Sequence, residues 1–332
     1  MKGNDAGLTL PSGKLPPDIL QKKVLVFSGT VRKEVLIGPR VGEDAAVIDW
    51  EPGKYMIVAS DPIVGAAKKA GRLLVTVNAN DIASKGGDPL YLITTTIFPS
   101  ETRLERLEQI MEEIHEACLE LGVALVGGHT EVNDRYNYPV IVATMIGAGE
   151  VLLKAENIAP GDVMIATKHV GLEGMSILAN DRPDLLKVVL STEEIREVTT
   201  WINRISVLPE ARVLRKWAKF MHDPTEGGLI GGISEVLRLT SLGFELEEEN
   251  LPVHPLTRRC ADSLNFDPGH LISSGVLLAV LAPKNLQEAL GALGEQGIEA
   301  QEIGRFTKVN GNVRQDATEV LWELLERPKV HE

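Results

Sequence analysis

Residues 78–87 read NANDIASKGG. Their surroundings read as helix. Leu73-Leu74-Val75 and Val77 come before, Ile82-Ala83 sit inside, and Gly86-Gly87 supply a C-terminal stop. The spacing predicts a helix over Gly71–Lys85. Asn78, Asn80 and Asp81 are poor helix formers, because their side chains compete for nearby backbone groups. On a helix, Asn78, Asp81 and Lys85 share one face, while Leu74, Val77 and Ile82 face elsewhere. A merely solvated face would be served better by Glu or Lys. The polar stripe is therefore expected to line a cleft.

Working outward, the flanking segments are strands. YMIVASDP (55–62) is apolar and ends at Ser60-Asp61. VGEDAAVIDW (41–50) leads into a strand around Ala45–Asp49, with Asp44 at its start. PLYLITTTIF (89–98) is a third strand. Ser100 is the expected N-cap of an amphipathic helix with Leu104, Leu107, Ile110, Ile114, Cys118 and Leu121 on one face and Gly122 after it. VALVGG (123–128) and YPVIVATMIG (138–147) add two strands. Upstream, Asp18–Phe27 reads as a helix and Met1–Pro17 as a mobile arm.

Pro160-Gly161-Asp162 is turn chemistry and opens a second alternating half. Helices are expected near Thr192–Thr200, Ser206–Lys219, Gly228–Leu239, Pro255–Ser263 and Leu286–Gln296. Strands are expected near Val163–Thr167, Phe244–Glu247, Gly275–Leu281 and Glu299–Arg305. The fold class is α/β (α+β), with an arm over 1–17, a first domain over 18–153 and a second over 154–332.

Composition narrows the function. Of 332 residues, 44% are hydrophobic but only 4% aromatic, so the cores are aliphatic. The first 30 residues lack a signal-peptide h-region, and the longest apolar stretches are too short to span a bilayer. Cys118 and Cys260 are the two cysteines, which suits a reducing, cytoplasmic setting. A net charge of −13 argues against nucleic acid. It also means that a phosphate ligand needs local cations, helix N-termini or bridging metal ions.

Several common chemistries are missing. There is no Walker A motif, no G-x-G-x-x-G after a strand, no zinc-type Cys/His spacing and no G-x-S-x-G elbow. What remains is Asp44, Asp61, Asp81 and Asp223 beside glycine pairs. Taken singly, each aspartate reads as a cap or turn residue. If the fold brings them together, their repulsion makes a cation the natural neutraliser, and magnesium suits such oxygen sites. Gly127-Gly128 and Gly227-Gly228 allow backbone N–H groups to approach phosphate, or else serve tight turns and packing. His129 and His222 are expected to be structural. Cys118 reads as core, and Cys260, beside Arg258-Arg259, lacks an identified base.

The motifs GKLP (13–16), GEDAAVI (42–48), SDP (60–62), NANDIASKGGDP (78–89), GGHTEV (127–132), APGDVMIAT (159–167) and DPTEGG (223–228) occur in one order. As an ordered set they resemble the aminoimidazole ribonucleotide synthetase (PurM-like) superfamily. Within it they look most like the hydrogenase maturation family HypE. The resemblance implies a two-domain fold: an N-terminal ATP-binding domain that dimerises through its β-sheet, and a C-terminal α/β domain. It implies ATP and Mg2+ as cofactors, with Asp44, Asp61, Asp81 and Asp223 holding the metal. Asn78 or Asn80 would support that cluster. Gly127, Gly128 and Thr130 would line the nucleotide, with Glu131 near it and Lys14 closing over the phosphates.

The implied reaction is activation of an amide, carbonyl or phosphate oxygen by phosphoryl transfer, with ADP formed. The acceptor would enter near His169–Gly174 and Ser273-Ser274. The resemblance further implies a homodimer and a protein partner of the maturation type, with no membrane or nucleic acid partner. The chain departs from the HypE pattern twice. Glu226 stands where that pattern has arginine, and Cys260 is the last cysteine before the ending RPKVHE. The acceptor is therefore open. Two alternatives stay beside this reading: a thiamine-monophosphate kinase, and a non-catalytic ATP-binding scaffold.

Overall fold

The computed structural model describes residues 17–25, 27, 32–63, 69–309, 311–313 and 318–328. The first half begins with a short α1 (Pro17–Ile19), which runs into a wider turn to Val24 in place of the helix expected to Phe27. It continues through β1 (Val35–Ile37), β2 (Ala46–Glu51), β3 (Lys54–Ile63), α2 (Ala70–Ser84), β4 (Asp88–Phe98), α3 (Leu104–Leu121), β5 (Ala124–Val132) and β6 (Val140–Gly149). These strands form one sheet in the order β1-β2-β3-β6-β4-β5. Neighbours pair antiparallel except β4 with β5, which are parallel. The crossover between β4 and β5 is α3.

Burial alternates cleanly along β6, so one sheet face is packed and the other is only partly covered. The helices α2 and α3 cover the packed face. They approach so closely that a Cβ on Gly71 would lie 2.4 Å from the carbonyl oxygen of Ile110. Ile110, Ile114, Ala117 and Cys118 form the buried stripe of α3, and Gly122 ends it in the left-handed conformation. Two expectations fail here. The N-cap is Arg103 and not Ser100, and Leu104 lies outside the apolar stripe at 65% exposed. Pro99 and the turn after it use up the residues that a Ser100 cap would have placed in the first helical turn.

The second half contains β7 (Val163–Thr167), α4 (Leu172–Asp181), α5 (Pro183–Lys187), α6 (Thr192–Thr200), α7 (Leu208–Leu214), β8 (Ala218–His222) and α8 (Gly228–Arg238). Then come β9 (Gly243–Leu246), α9 (Pro255–Leu264), β10 (Leu278–Leu281), α10 (Leu286–Glu295), β11 (Ala300–Thr307) and α11 (Leu321–Glu326). Its sheet runs β8-β10-β7-β11-β9 and is antiparallel throughout. The helix expected over Ser206–Lys219 is split: α7 stops at Leu214, and Ala218–His222 becomes a buried edge strand instead. Phe220 and Met221 are fully buried there, so burial decides the element where local propensity did not. α4 was also not foreseen.

The two sheets share a core. One apolar cluster joins Ile57, Leu74, Ile82 and Met145 from the first half to Ile165, Leu208, Met221 and Ala279 from the second. α2 lies at this junction and is buried from Leu73 through Ser84.

Candidate active site

Burial on all sides explains the polar residues of α2. A buried polar side chain has to find partners inside the protein. Asn78 clamps β3: its Oδ1 accepts from the Asp61 amide at 3.0 Å, and its Nδ2 donates to the Asp61 carbonyl at 3.3 Å and the Leu74 carbonyl at 2.9 Å. Asn80 faces the second half. It donates to the Ile205 carbonyl at 2.8 Å and accepts from the Val207 amide at 2.9 Å. Asp81, the third member, faces a cluster of other carboxylates.

Asp81 meets three other aspartates there. Burial pushes its carboxyl well above the ordinary range, and the charges of Asp223, Asp61 and Asp44 push it the same way. Asp61 is close enough to share a proton with it. Asp223 follows the end of β8 and is raised for the same reasons, burial first and then Asp44. Both of its carboxylate oxygens are buried without a hydrogen-bond partner. Asp44, Asp61, Asp81 and Asp223 thus converge from four separate elements or their ends. Asp61 lies within β3 rather than after it.

Asp44 has cationic partners. Nδ1 of His222 lies 2.6 Å from its Oδ1, and Ser84 Oγ donates to its Oδ2 at 2.9 Å. The other ring nitrogen of His222 is 3.0 Å from Oε2 of Glu235. Burial alone would lower the histidine; Asp44 and Glu235 overcome it and raise the ring to about 10. Lys85, fully buried, sits 2.7 Å from Glu43 and 3.9 Å from Asp44, with its ammonium over the Phe220 ring. Burial works against ionisation of Asp44, but His222 and Lys85 hold it below the usual carboxylate range. This buried network of Glu43, Lys85, Asp44, His222 and Glu235 was not read from the sequence. His222 was expected to be merely structural.

Among the described residues, no group of three or more His, Cys, Asp and Glu side chains forms a ready-made metal cage. The donor set still fits magnesium. That ion keeps several waters and takes one or two carboxylates together with ligand phosphates, so a closed protein cage is not its usual site. The two partnerless oxygens of Asp223 and the suppressed ionisation of Asp81 both call for a cation.

Other expected residues lie elsewhere. Gly127, Gly128, Thr130 and Glu131 are on β5, the edge strand, which β4 and β6 separate from β3. The glycines lie within this strand, not at its end. A Cβ on Gly128 would be 2.2 Å from the Thr94 carbonyl oxygen, so that glycine serves strand packing. Thr130 bonds the Thr96 hydroxyl at 2.9 Å, and Glu131 pairs with His129. Lys14 lies outside the described residues. Both cysteines are buried and raised to about 11 by that burial, so neither is an activated thiol.

The two loops named for the acceptor side do meet. The Gly171 amide donates to Ser273 Oγ at 2.9 Å, and the Gly174 amide to the Ile272 carbonyl at 3.2 Å. The Ser273 amide in turn donates to the Thr225 carbonyl at 3.2 Å, tying both loops to DPTEGG.

Comparison with known proteins places the fold in a family. The AIR synthase related protein N-terminal domain profile matches residues 42–148, and the C-terminal domain profile matches residues 159–316. The chain belongs to the AIR synthase related family. The carbamoyl dehydratase HypE of Bradyrhizobium diazoefficiens is 28% identical over 288 residues, covering 83% of this chain and 81% of that protein. A selenide, water dikinase of Nitratidesulfovibrio vulgaris is also 28% identical, over 319 residues, covering 86% and 89%.

Two solved structures share the fold of this AIR synthase related chain. HypE from E. coli superposes with a TM-score of 0.68 at 24% identity, covering 77% of this chain and 80% of that one. The ThiL complexed with AMPPCP and TMP gives 0.69 at 15% identity, covering 84% and 90%.

Proposed function

We propose that this chain is a magnesium- and ATP-dependent enzyme that activates an acceptor oxygen by phosphoryl transfer and forms ADP. The observation that carries the reading is the convergence of Asp44, Asp61, Asp81 and Asp223 in one cluster, with both Asp223 carboxylate oxygens buried and lacking a hydrogen-bond partner. These four would hold magnesium, which supplies neutralisation of the triphosphate charge. The chain's own contribution is positioning, the larger part of catalysis in phosphoryl transfer. Asn78 fixes the Asp61 backbone, and the His222–Lys85 network keeps Asp44 ionised.

A homodimer completes this reading. On the open face of the first sheet, Tyr91 and Ile93 are exposed. A second copy seated there would bury them and bring Gly127, Gly128, Thr130 and Glu131 to a nucleotide shared between the copies. The HypE likeness further suggests a maturation-type protein partner, since one similar solved structure is a HypE–HypF complex. No helix among the described residues is long and apolar enough to cross a membrane.

The deciding measurement is calorimetric titration of MgATP into the wild type and Asp81→Ala, with ADP release followed in parallel. Loss of binding in the variant is expected. Unchanged affinity would remove the aspartate assignment, and tight binding without ADP under every acceptor tried would favour the scaffold.

A further inference from the structure

Lys168, one residue past β7, has a left-handed backbone with φ +54°, which a residue other than glycine seldom holds without a local cause. Its ammonium is fully used. It sits 2.7 Å from Oε1 of Glu210 and donates to the Arg204 and Ser206 carbonyls at 3.0 and 2.7 Å. Three N–H groups thus meet three acceptors. Asn80, next to Asp81 on α2, grips the same loop through Ile205 and Val207. The loop 204–207 is held between Lys168 and α2.

Lys168 also lines a cavity of about 240 Å³, shared with His169, residues 251–255 and residues 299–301. None of the four aspartates lines it. It lies at the ends of β7 and β11, whereas Asp223 follows β8, on the far side of β10. The rings of His169 and His254 meet there edge to face, with centroids 5.0 Å apart, and Trp201 packs on His254 at 4.7 Å. Nδ1 of His254 accepts from the Leu256 amide at 3.2 Å, so the neutral ring carries its proton on Nε2, where it can donate.

Arg204 completes the set. Burial is the first cause that holds both rings below the ordinary histidine value, and the charge of Arg204 pushes both the same way. The Arg204 side chain is exposed and has no hydrogen bond or ion pair among the described residues. Glu299 answers it only loosely. Its side chain is 79% exposed, and its Oε2 lies 3.8 Å from Nε2 of His169, too far for a hydrogen bond. In a chain of net charge −13, this gathering of basic groups around one cavity needs an explanation.

We infer that the cavity binds a small, doubly charged oxyanion, and that its occupant steadies the loop 204–207 on which Asn80 bears. The Arg204 guanidinium and the Nε2–H of His254 are donors as they stand. His169 supplies a second positive charge by taking up a proton as the anion enters. His169 faces Lys168, Arg204, His254 and Glu299, while Glu197 acts on His254 and Glu210 neutralises Lys168. An anion offsets the arginine and lysine charges that oppose the proton on His169. Two positive charges match a dianion better than a monoanion. A phosphoryl group, a sulfate and a small dicarboxylate share this chemistry.

The inference does not depend on the phosphoryl-transfer reading, and its test uses no nucleotide. The full chain has seven histidines, whose ring Hε1 resonances are followed by NMR. His169→Asn and His254→Asn assign two of them, and asparagine keeps the helix cap at 254. Inorganic phosphate, sulfate, malonate and acetate are added at constant ionic strength. The dianions should move both resonances saturably and raise the titration midpoint of His169, and acetate should bind about tenfold more weakly. Malonate ahead of phosphate would mark a dicarboxylate, and the reverse a phosphoryl group. Arg204→Ala should weaken the dianions about tenfold, and Glu299→Gln should tighten them about threefold. Exchange of the Val207 amide should slow when the wild-type site is filled. No saturable response, acetate binding as tightly as the dianions, equal affinity in Arg204→Ala, or unchanged Val207 exchange with the site filled would each overturn the inference.

Discussion

Nδ1 of His222 lies 2.6 Å from Oδ1 of Asp44, and both residues are almost fully buried. With Glu235 on its other nitrogen, the ring is raised to about 10 and is an imidazolium at neutral pH. A buried cation between two carboxylates is costly to break from one side, because two anions are left without a partner. His222→Ala should therefore lose about 3 kcal/mol of stability by urea unfolding. The sign with pH follows from the raised value. The stabilisation is complete below the unfolded histidine range near 6.5 and is lost as pH climbs toward 10. The variant should lack that alkaline loss.

Asp81 and Asp223 have the same sign with pH, but burial and repulsion set it and not an opposite charge. Both carboxyls are raised by burial and by each other's neighbours. A folded-state pKa above the unfolded one means that the native protein holds extra protons, so stability is greatest at low pH and falls as pH rises through the raised values. Asp223→Asn removes one of these charges. The ligand-free variant should melt higher than wild type at neutral pH, while the stabilisation given by MgATP should disappear. A differential scanning measurement with and without MgATP checks both signs. A variant that melts lower without ligand would show that Asp223 has a structural partner.

This contrast also marks what could be seen in the sequence. The four aspartates and the α2 helix were legible, because a cluster of poor helix formers inside an apolar run has few explanations. Both sheets were legible from alternation and turn chemistry, apart from β1 and β8. The network around Asp44 was not. Glu43, Lys85, His222 and Glu235 are far apart in the chain, and a lone histidine carries no signal until the edge strand that presents it is known. That strand, Ala218–His222, followed residues that read equally well as helix.

Glu173 gives a separate pH signature. Its carboxyl is raised to about 7, by burial first and by the charge of Glu319 as well, against a bond from Ser274. Between the unfolded value of 4.5 and 7, the native state keeps a proton that the unfolded chain has lost. Stability should fall across that window by roughly 3 kcal/mol, since each tenfold difference in proton affinity between the two states is worth about 1.4 kcal/mol. In Glu173→Gln the proton cannot leave, so the fall should flatten. Urea midpoints at intervals between pH 4 and about 7.5 would show it, and an unchanged slope would count against the buried carboxyl.

Asn80 joins the two halves, and the consequence of cutting it can be stated in advance. Its side chain satisfies the Ile205 carbonyl and the Val207 amide, both inside the protein. Asn80→Ala would leave two buried backbone groups unpaired and a small void, a cost of about 2–4 kcal/mol. Asn80→Asp keeps the bond to the Val207 amide but turns the other contact into oxygen facing oxygen. It also sets a fifth carboxylate beside the aspartate wall, so it should be at least as damaging. The loop pinned by Asn80 is held from its other side by Lys168, which donates to the Arg204 and Ser206 carbonyls. Hydrogen exchange should therefore rise at Val207 in Asn80→Ala while the amides inside β4 and β6 stay protected. Uniform loss of protection across both sheets would instead mean that Asn80 supports the whole fold, not the junction at which the aspartates meet.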